Sequence, residues 1–384
     1  MVVGVEAMVW AISDEGTLVY KPIGMRAADP NIPQFTLVWV DRQGKEETIA
    51  ADPNLYAQPQ ISPDGTEVVL SVFTEEGTSD IWIWDLIRKN LRPLTRNGNS
   101  TNPLWTPDGQ RIVFLSGDED KRGIYWRAAA GTGNDELLSS VSDGMLIPNS
   151  WSKDGKTLVT TKQPPQQRRV GSGVERLLQM LTRGGAFMGF PAGRASRGNS
   201  GSRPGRAGAI SQPLRPNFNI GLLSMEDDHK WKPLLQEEYS ESDPQISPDG
   251  RWIAYVSNES EQQEVYLRPF PDVNKEKKQV SIDGGNSPQW SPDGRKLFYN
   301  GPEGLMVVAV ETDPVVKLGT PKSLFRGRYI GWDLSPDGKR FLVIATRLLR
   351  DEPSSDEDSP SPFPRKINIV LNWFEELKER VPAN

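Results

Sequence analysis

The chain has 384 residues, with no cysteine, a single histidine and a formal net charge of −6 at pH 7. The lack of cysteine excludes disulfides, a thiol nucleophile and thiolate metal sites, and the mild net charge favours no class of partner. No apolar run approaches the roughly 20 residues that a membrane span needs. Residues 1–11 are apolar but lack the basic region of a signal peptide. We therefore expect a soluble chain, cytoplasmic as given, or periplasmic if it is a fragment of a longer membrane-anchored protein.

A four-residue turn motif recurs along the chain. It first occurs in a degenerate form, Ser13-Asp14-Glu15-Gly16, and then in six fuller copies of the type Ser-Pro-Asp-Gly. These copies begin at Ser62, Thr106, Ser152, Ser247, Ser291 and Ser335. Apart from one doubled gap after the third full copy, successive copies lie about 44–49 residues apart, which is the spacing of a radial or stacked repeat. Because the period runs almost from end to end, we expect one large domain over residues 1–384.

The sequence pattern of each repeat predicts four short β-strands around its turn. One apolar run ends at the turn, a second follows it, as in Trp252–Val256, and a third, as in Ile81–Trp84, precedes a shorter and more polar fourth run. Four short strands separated by turns form one propeller blade. The sequence therefore predicts an all-β chain with a single β-propeller of four-stranded blades. Seven motif copies predict seven blades, with six as the alternative if the degenerate copy lies outside the ring, and residues 374–381 predict a short C-terminal helix.

We interpret the repeated aspartates as turn residues rather than as a ring of catalytic or metal-binding acids. Proline fixes φ near −65° at the second turn position, and aspartate accepts hydrogen bonds from nearby backbone amides. Glycine then takes the left-handed conformation that follows a type I turn. Turn geometry alone explains the pattern. The residues to which we assign this structural role are Asp64, Asp108, Asp154, Asp249, Asp293 and Asp337.

Two irregular segments interrupt the repeats. Residues 163–217 contain nine arginines and one acid, which predicts a disordered Arg/Gly-rich insertion within the fourth blade. It is either a tether that binds polyanions weakly or a tolerated surface insertion. Residues 351–365 are predicted to form an acidic Pro/Ser loop within the last blade. The arginines of the possible polyanion tether are Arg168, Arg169, Arg176, Arg183, Arg194, Arg197, Arg203, Arg206 and Arg215.

Ring closure is predicted to use both ends of the chain. The last repeat places its first three strands at residues 332–334, 340–344 and 367–371. No fourth strand is evident after them. We therefore expect residues 2–5 to supply it, because pairing the two termini removes the exposed strand edges.

The motifs of the common enzyme classes are absent from the sequence. The single histidine, His229, lies in a hairpin-like Asp-Asp-His-Lys segment, and no Gly-x-Ser-x-Gly elbow or phosphate-binding loop occurs. One histidine without any cysteine excludes the usual zinc sites. The sequence therefore predicts a noncatalytic protein with no catalytic residue, no cofactor and no metal site.

Several segments resemble a known family of repeats. They are Leu37–Lys45, Ser79–Asp85, Ser247–Ser260, Arg268–Pro271 and Asn368–Leu377. They resemble the WD-repeat-like β-propellers of the TolB-like type, and more specifically the C-terminal propeller region of bacterial, eukaryotic-like serine/threonine protein kinases. This resemblance implies a noncatalytic sensor or protein-interaction module in signalling, with a protein as its partner. The chain would then be the detached C-terminal region of a receptor-type kinase.

The resemblance leaves one alternative function open. Propellers also occur as accessory domains of serine peptidases of the prolyl-oligopeptidase type. Such a peptidase would need a catalytic hydrolase domain, which this chain does not contain. An in-frame kinase or hydrolase segment next to this sequence would discriminate between the two functions.

Overall fold

The computed structural model describes residues 10–12, 18–20, 34–49, 51–52, 54–74, 76–117, 122–165, 217–226, 228–313, 315–327, 329–347 and 368–370. Contacts divide the chain into two compact units. One is Phe35–Arg347, which we call the propeller unit, and the other combines Met1–Gln34 with Leu348–Asn384. Every helix or strand found in these described ranges is a β-strand, and none of them contains a helix long and apolar enough to cross a membrane.

The strands are short, and most are joined by tight turns into antiparallel hairpins. In chain order they are β1 (Trp10–Ile12), β2 (Leu18–Tyr20), β3 (Gln34–Asp41), β4 (Glu46–Thr48), β5 (Leu55–Ile61), β6 (Glu67–Phe73), β7 (Ser79–Asp85), β8 (Asn90–Pro93), β9 (Thr101–Trp105), β10 (Arg111–Ser116), β11 (Gly123–Ala128), β12 (Glu136–Ser140), β13 (Met145–Trp151) and β14 (Thr157–Gln163). They continue with β15 (Asn219–Ser224), β16 (Trp231–Leu235), β17 (Glu241–Ile246), β18 (Trp252–Ser257), β19 (Glu264–Pro269), β20 (Lys278–Gln279), β21 (Asn286–Trp290), β22 (Lys296–Gly301), β23 (Gly304–Glu311), β24 (Lys317–Leu318), β25 (Lys322–Phe325), β26 (Tyr329–Leu334), β27 (Arg340–Arg347) and β28 (Asn368–Val370).

The propeller unit consists of six sheets, which we number as blades 1 to 6. Blades 1 to 4 are β5–β8, β9–β12, β13–β16 and β17–β20, and blade 5 is β21–β25, in which β24 and β25 both pair with β23. Blade 6 has the order β26-β27-β3-β4. The predicted propeller of four-stranded blades is therefore confirmed, but the prediction of seven blades is wrong and the alternative of six is correct. The degenerate motif falls between β1 and β2, which pair with β28 in a separate three-stranded sheet.

Ring closure differs from the prediction. The third strand of blade 6 is β3 rather than the segment at residues 367–371, of which Asn368–Val370 pairs with β2. The physical reason is apolar burial, because Phe35, Leu37 and Val40 of β3 are each almost fully buried in blade 6. Residues 2–5 and the predicted helix at 374–381 lie outside the described residues, as does the acidic segment 351–365.

The apolar core of the propeller unit lies between neighbouring blades. Phe298 of blade 5 packs edge-to-face against Phe341 of blade 6, with ring centroids 5.1 Å apart. Val69 of blade 1 similarly clusters with Ile112 and Phe114 of blade 2. Each blade thus buries both of its faces, which explains why its second strand is a nearly continuous apolar run rather than an alternating one.

The turn motifs join neighbouring blades around the ring. Each motif glycine has a positive φ, between +68° and +76°. Five of the six lie against the motif proline of the preceding blade, and the exception is Gly250, whose preceding blade has Lys153 at that position. A Cβ built on Gly109, for example, would lie 3.7 Å from Pro63 Cδ. The series includes Pro336 of blade 6 against Gly65 of blade 1, so that five such contacts link the six blades around the ring. The contacts are Pro63–Gly109, Pro107–Gly155, Pro248–Gly294, Pro292–Gly338 and Pro336–Gly65.

Candidate functional site

The six predicted turn aspartates occupy equivalent positions between the first and second strands of the six blades. In blade 1, Asp64 Oδ1 accepts hydrogen bonds from Ser62 Oγ at 2.6 Å and from the Thr66 amide at 3.0 Å. The hydrogen bond from Ser62 is the main reason that the pKa of the Asp64 carboxyl lies below its ordinary value. The other five aspartates, Asp108, Asp154, Asp249, Asp293 and Asp337, make the same pair of hydrogen bonds.

These turn carboxylates serve local backbone geometry. The oxygen that faces the turn accepts one hydrogen bond from the Ser or Thr hydroxyl and one from a backbone amide, and so stabilises the turn. Across the part of the chain that the structure describes, no group of three or more acidic or histidine side chains is placed to hold a metal ion.

The nine arginines of the possible polyanion tether lie outside the described residues. What the structure describes is the attachment of their segment, which connects the second and third strands of blade 3. The flanking strands pair up to their ends, with Lys162 of β14 opposite Asn219 of β15. Blade 3 is the fourth repeat in the count that includes the degenerate motif.

The single histidine lies at the outer edge of the propeller unit. His229 is in the connection between β15 and β16 with a φ of +54°, and its carbonyl oxygen accepts a hydrogen bond from Ser139 Oγ of blade 2 at 2.7 Å. It borders a cavity of 480 Å³ with Trp231 and the residues of β12. No serine or acid is hydrogen-bonded to the imidazole among the contacts that the structure describes.

The inner strands share a kink that the sequence analysis did not predict. Four residues before the start of the turn motif, φ is positive at Gln58, Asn102, Asp243 and Ser287, between +50° and +54°. In each of these blades the pairing of the first and second strands shifts register at this point. Such a bulge re-aims one side chain. Its signal in the sequence is a polar residue followed by proline at the same distance from the turn in all four blades.

Side chains at the kinks connect each blade to the next. Gln58 Oε1 accepts a hydrogen bond from the Asn102 amide at 3.0 Å and another from Ser71 Oγ at 2.8 Å. Asp243 likewise accepts a hydrogen bond from the Ser287 amide of the next blade. The kinked residues thus form part of a polar ring at the inner edge of the blades.

A second level of inter-blade hydrogen bonds surrounds Asp333 of blade 6. Its Oδ2 accepts the Ile61 amide of blade 1 at 2.6 Å, and its Oδ1 accepts bonds from the Gln289 side chain of blade 5 and from the Leu334 amide. Burial raises the pKa of Asp333 to about 6. Burial also raises the pKa of Asp243 to about 7, against the opposing effect of the hydrogen bond from the Ser287 amide.

The inner strands carry acids but no base. The six first strands, β5, β9, β13, β17, β21 and β26, contain Glu241, Asp243 and Asp333 and no lysine, arginine or histidine. In a propeller the blades surround a central channel, and the first strand of each blade lies nearest to it. A channel that is lined by charges of one sign and has low-dielectric walls focuses the electrostatic potential of those charges. Glu241 and Asp333 are buried, so Asp243, which is partly exposed, is the acid of the inner ring suited to receive a cationic group.

Comparisons with known proteins agree with this fold. Residues 30–186 match a family model described as the TolB beta propeller domain. Among solved structures, TolB from Agrobacterium tumefaciens superimposes with a TM-score of 0.55 and 17% identity, covering 82% of this chain and 99% of that one. At this identity the likeness shows the fold alone. Together these findings support a TolB-like β-propeller, whereas the finer resemblance to kinase propellers finds no support among them.

Curated relatives match only parts of the chain. The uncharacterized peptidase YuxL of Bacillus subtilis is 29% identical over 210 residues, which is 53% of this chain and 29% of that protein. The Tol-Pal system protein TolB of Anaeromyxobacter is 26% identical over 96 residues, which is 25% of this chain and 22% of that protein. The matched region thus spans less than a third of the length of either relative.

Proposed function

We propose that this chain is a noncatalytic interaction propeller that binds a segment of a protein partner at the mouth of its central channel. The observation that carries the proposal is the chemistry of the six inner strands, which offer kinked polar residues and acids without any base. The match to the TolB beta propeller domain supports it at the level of the fold.

The partner segment should be basic. A lysine, arginine or terminal amine beside Asp243 would stabilise its ionised form and so lower a pKa that burial holds near 7. The kinked inner strands also present backbone groups on the edge that pairs with no further strand, and an extended segment can hydrogen-bond to such groups. A finer form of this proposal is the sensing region of a receptor-type kinase, which rests on the sequence resemblance.

The test is fluorescence anisotropy with labelled peptides of equal length that are basic, neutral or acidic. The basic peptide should bind most tightly, with an affinity that falls as salt screens the acids. Asp243→Asn keeps an oxygen to accept the Ser287 amide and should weaken binding about tenfold, as expected for a lost charge-assisted contact. Asp272→Asn removes the same charge from an exposed loop of blade 4 and serves as the control. Equal affinity for all three peptides, or an unchanged affinity of Asp243→Asn, would contradict the proposal.

A second function is favoured by one observation. The alignment with YuxL covers 210 residues of a protein called a peptidase, and it leaves most of that protein outside the match. This fits an accessory propeller of a serine peptidase of the prolyl-oligopeptidase type. Reading the genomic locus for an in-frame hydrolase or kinase segment tests it. A hydrolase segment favours the accessory role, and a kinase segment favours the sensor.

A further inference from the structure

A cleft of 440 Å³ opens between blades 5 and 6, beside the turn of blade 6. It exists because the outer strand of blade 5 is interrupted. β24 and β25 pair with opposite halves of β23, and the residues between them, 319–321, leave its edge uncovered. The Gly319 amide still donates a hydrogen bond to the Ala309 carbonyl oxygen at 2.8 Å, which holds the chain after β24 at one end of the cleft.

The rim of the cleft is positively charged. Arg42, Lys296 and Lys322 line it, and none of the described acidic residues does. None of these three side chains forms an ion pair with another described residue. Other basic residues of the same two blades do form them, in the pairs Lys317–Glu311 at 3.7 Å, Arg326–Glu303 at 3.2 Å and Arg340–Glu47 at 3.8 Å. The cleft therefore brings together three cations that form no ion pair within the described residues.

Arg42 is held in a fixed position on this rim. Its Nε and one terminal nitrogen donate hydrogen bonds to the Gly338 carbonyl oxygen at 3.2 and 2.6 Å. The guanidinium is thus oriented by the turn of blade 6, which reduces the entropy lost when it binds an anion. The pKa of the Asp293 carboxyl is lowered mainly by hydrogen bonds from Ser291 and the Arg295 amide, with a smaller effect of Lys296, and this carboxylate does not line the cleft.

The floor of the cleft is apolar. Phe298, Val307, Ala309 and Leu324 form it, between the cores of blades 5 and 6. An inorganic anion would leave this floor unused, and a neutral apolar molecule would gain nothing from three cations. A volume of 440 Å³ falls within the range of clefts that hold small organic molecules.

We propose that this cleft binds a small amphipathic anion, in which a carboxylate or phosphate ester is attached to a short apolar chain or ring. The anionic group lies between Arg42, Lys296 and Lys322, and the apolar part lies on Phe298 and Leu324. The site is separate from the inner ring and adds a small-molecule ligand to the proposed interaction function.

Titration calorimetry of the full chain tests the proposal with octanoate and octyl phosphate as probes. Octylamine, 1-octanol and inorganic phosphate are the comparison ligands. Both anions should bind saturably at one site, and whichever binds more tightly identifies the preferred head group. The positively charged, neutral and purely inorganic ligands should bind at least about tenfold more weakly, because each lacks either the charge-assisted contacts or the apolar burial.

Three variants locate the binding site. Lys296→Gln combined with Lys322→Gln should weaken the anions about tenfold, since two charge-assisted contacts are lost. Ala309→Phe should fill the cleft and abolish binding, while Lys317→Gln removes one charge from the same outer strand outside the cleft and should change nothing. Both lysines of the double variant reach solvent, so that protein should fold even if the filled variant does not. The proposal would be overturned if neither anion bound saturably. It would also be overturned if Lys317→Gln weakened binding as much as the double lysine variant does.

Discussion

Replacing Glu241 with leucine should stabilise the protein at alkaline pH. Glu241 is completely buried at the start of β17, and neither of its carboxylate oxygens forms a well-aligned hydrogen bond with a described residue. Burial, with added repulsion from the Glu237 carboxylate, raises its pKa to about 7 against a weaker opposing contact from the Glu237 backbone. The equivalent position in blade 3, six residues before the turn, is Leu146, which is also buried. A leucine side chain therefore already fits this place in the blade.

The magnitude follows from linkage between protonation and folding. An acid whose pKa rises from 4.5 to about 7 on folding binds more protons in the native state than in the unfolded state. The free energy of unfolding therefore falls as pH rises from 4.5 to about 7, because the buried carboxyl must become charged. The decrease is complete above pH 7. At 1.36 kcal/mol per pKa unit, removal of the charge should contribute about 2–3 kcal/mol at alkaline pH, and much less near pH 5.

Urea denaturation of the wild type and of Glu241→Leu at about pH 5 and about pH 8 measures the difference. The variant should be the more stable protein at the higher pH, and the gap should shrink at the lower pH. Glu238→Leu changes an exposed neighbour in the same way and should show neither effect. A gap that is equal at both pH values, or a less stable variant at pH 8, would refute the assignment of a costly buried charge.

Three further predictions concern the turns and the insertion. Lys153→Pro should raise stability by about 0.5–1 kcal/mol in thermal denaturation. Among the described residues, the Lys153 amide has no backbone hydrogen-bond partner, and nothing lies within 4 Å of the Cβ position of Gly250 opposite it. A loss of stability would contradict the turn geometry. Asp249→Ala should cost about 1 kcal/mol through the lost hydrogen bonds to Ser247 and the Arg251 amide, without any change in metal binding by calorimetry. Replacing residues 166–216 by a short Gly-Ser linker should preserve the melting temperature, since Lys162 and Asn219 are already paired, and should abolish salt-sensitive retention on heparin. Equal retention of both proteins would contradict the tether.

The sequence predicts the blade better than it predicts the ring. The turn motif, its period and the apolar runs beside it are local features, and each corresponds to a hairpin in the structure. The number of blades depends instead on whether the degenerate copy at Ser13 belongs to the ring, and that copy lacks the motif proline. Closure depends on which strand lies beside β27, and the structure places β3 there while Asn368–Val370 pairs with β2. The choice of that strand is decided by burial between segments far apart in the chain, which local patterns do not report.

The acids of the inner ring could not be recognised in the sequence, because the turn aspartates are more frequent and form the repeating pattern. Asp64 and its equivalents stand out because they recur, yet each is engaged in its own turn. Asp243 and Asp333 occur once each, at different distances from their turns, and become neighbours of other blades only when the ring closes. The polar residue before proline was a usable signal for the kinks. The cleft between blades 5 and 6 had none, because Lys296 and Lys322 lie on different strands of blade 5 and Arg42 comes from blade 6.

The exceptions to the repeat meet at the boundary between blades 3 and 4. There Lys153 takes the place of the motif proline, and the proline contact to Gly250 is therefore missing. Hydrogen bonds replace it, from the Ile246 amide to Ser150 Oγ at 3.3 Å and from the Glu241 amide to the Phe218 carbonyl oxygen at 3.0 Å. The same boundary contains the attachment of the arginine-rich segment and the buried Glu241. The boundary still contains an apolar cluster that joins Val159 and Ile220 of blade 3 to Ile253 and Tyr255 of blade 4. Because an unpaired buried acid costs free energy beside such a cluster, an apolar side chain at position 241 should strengthen this boundary.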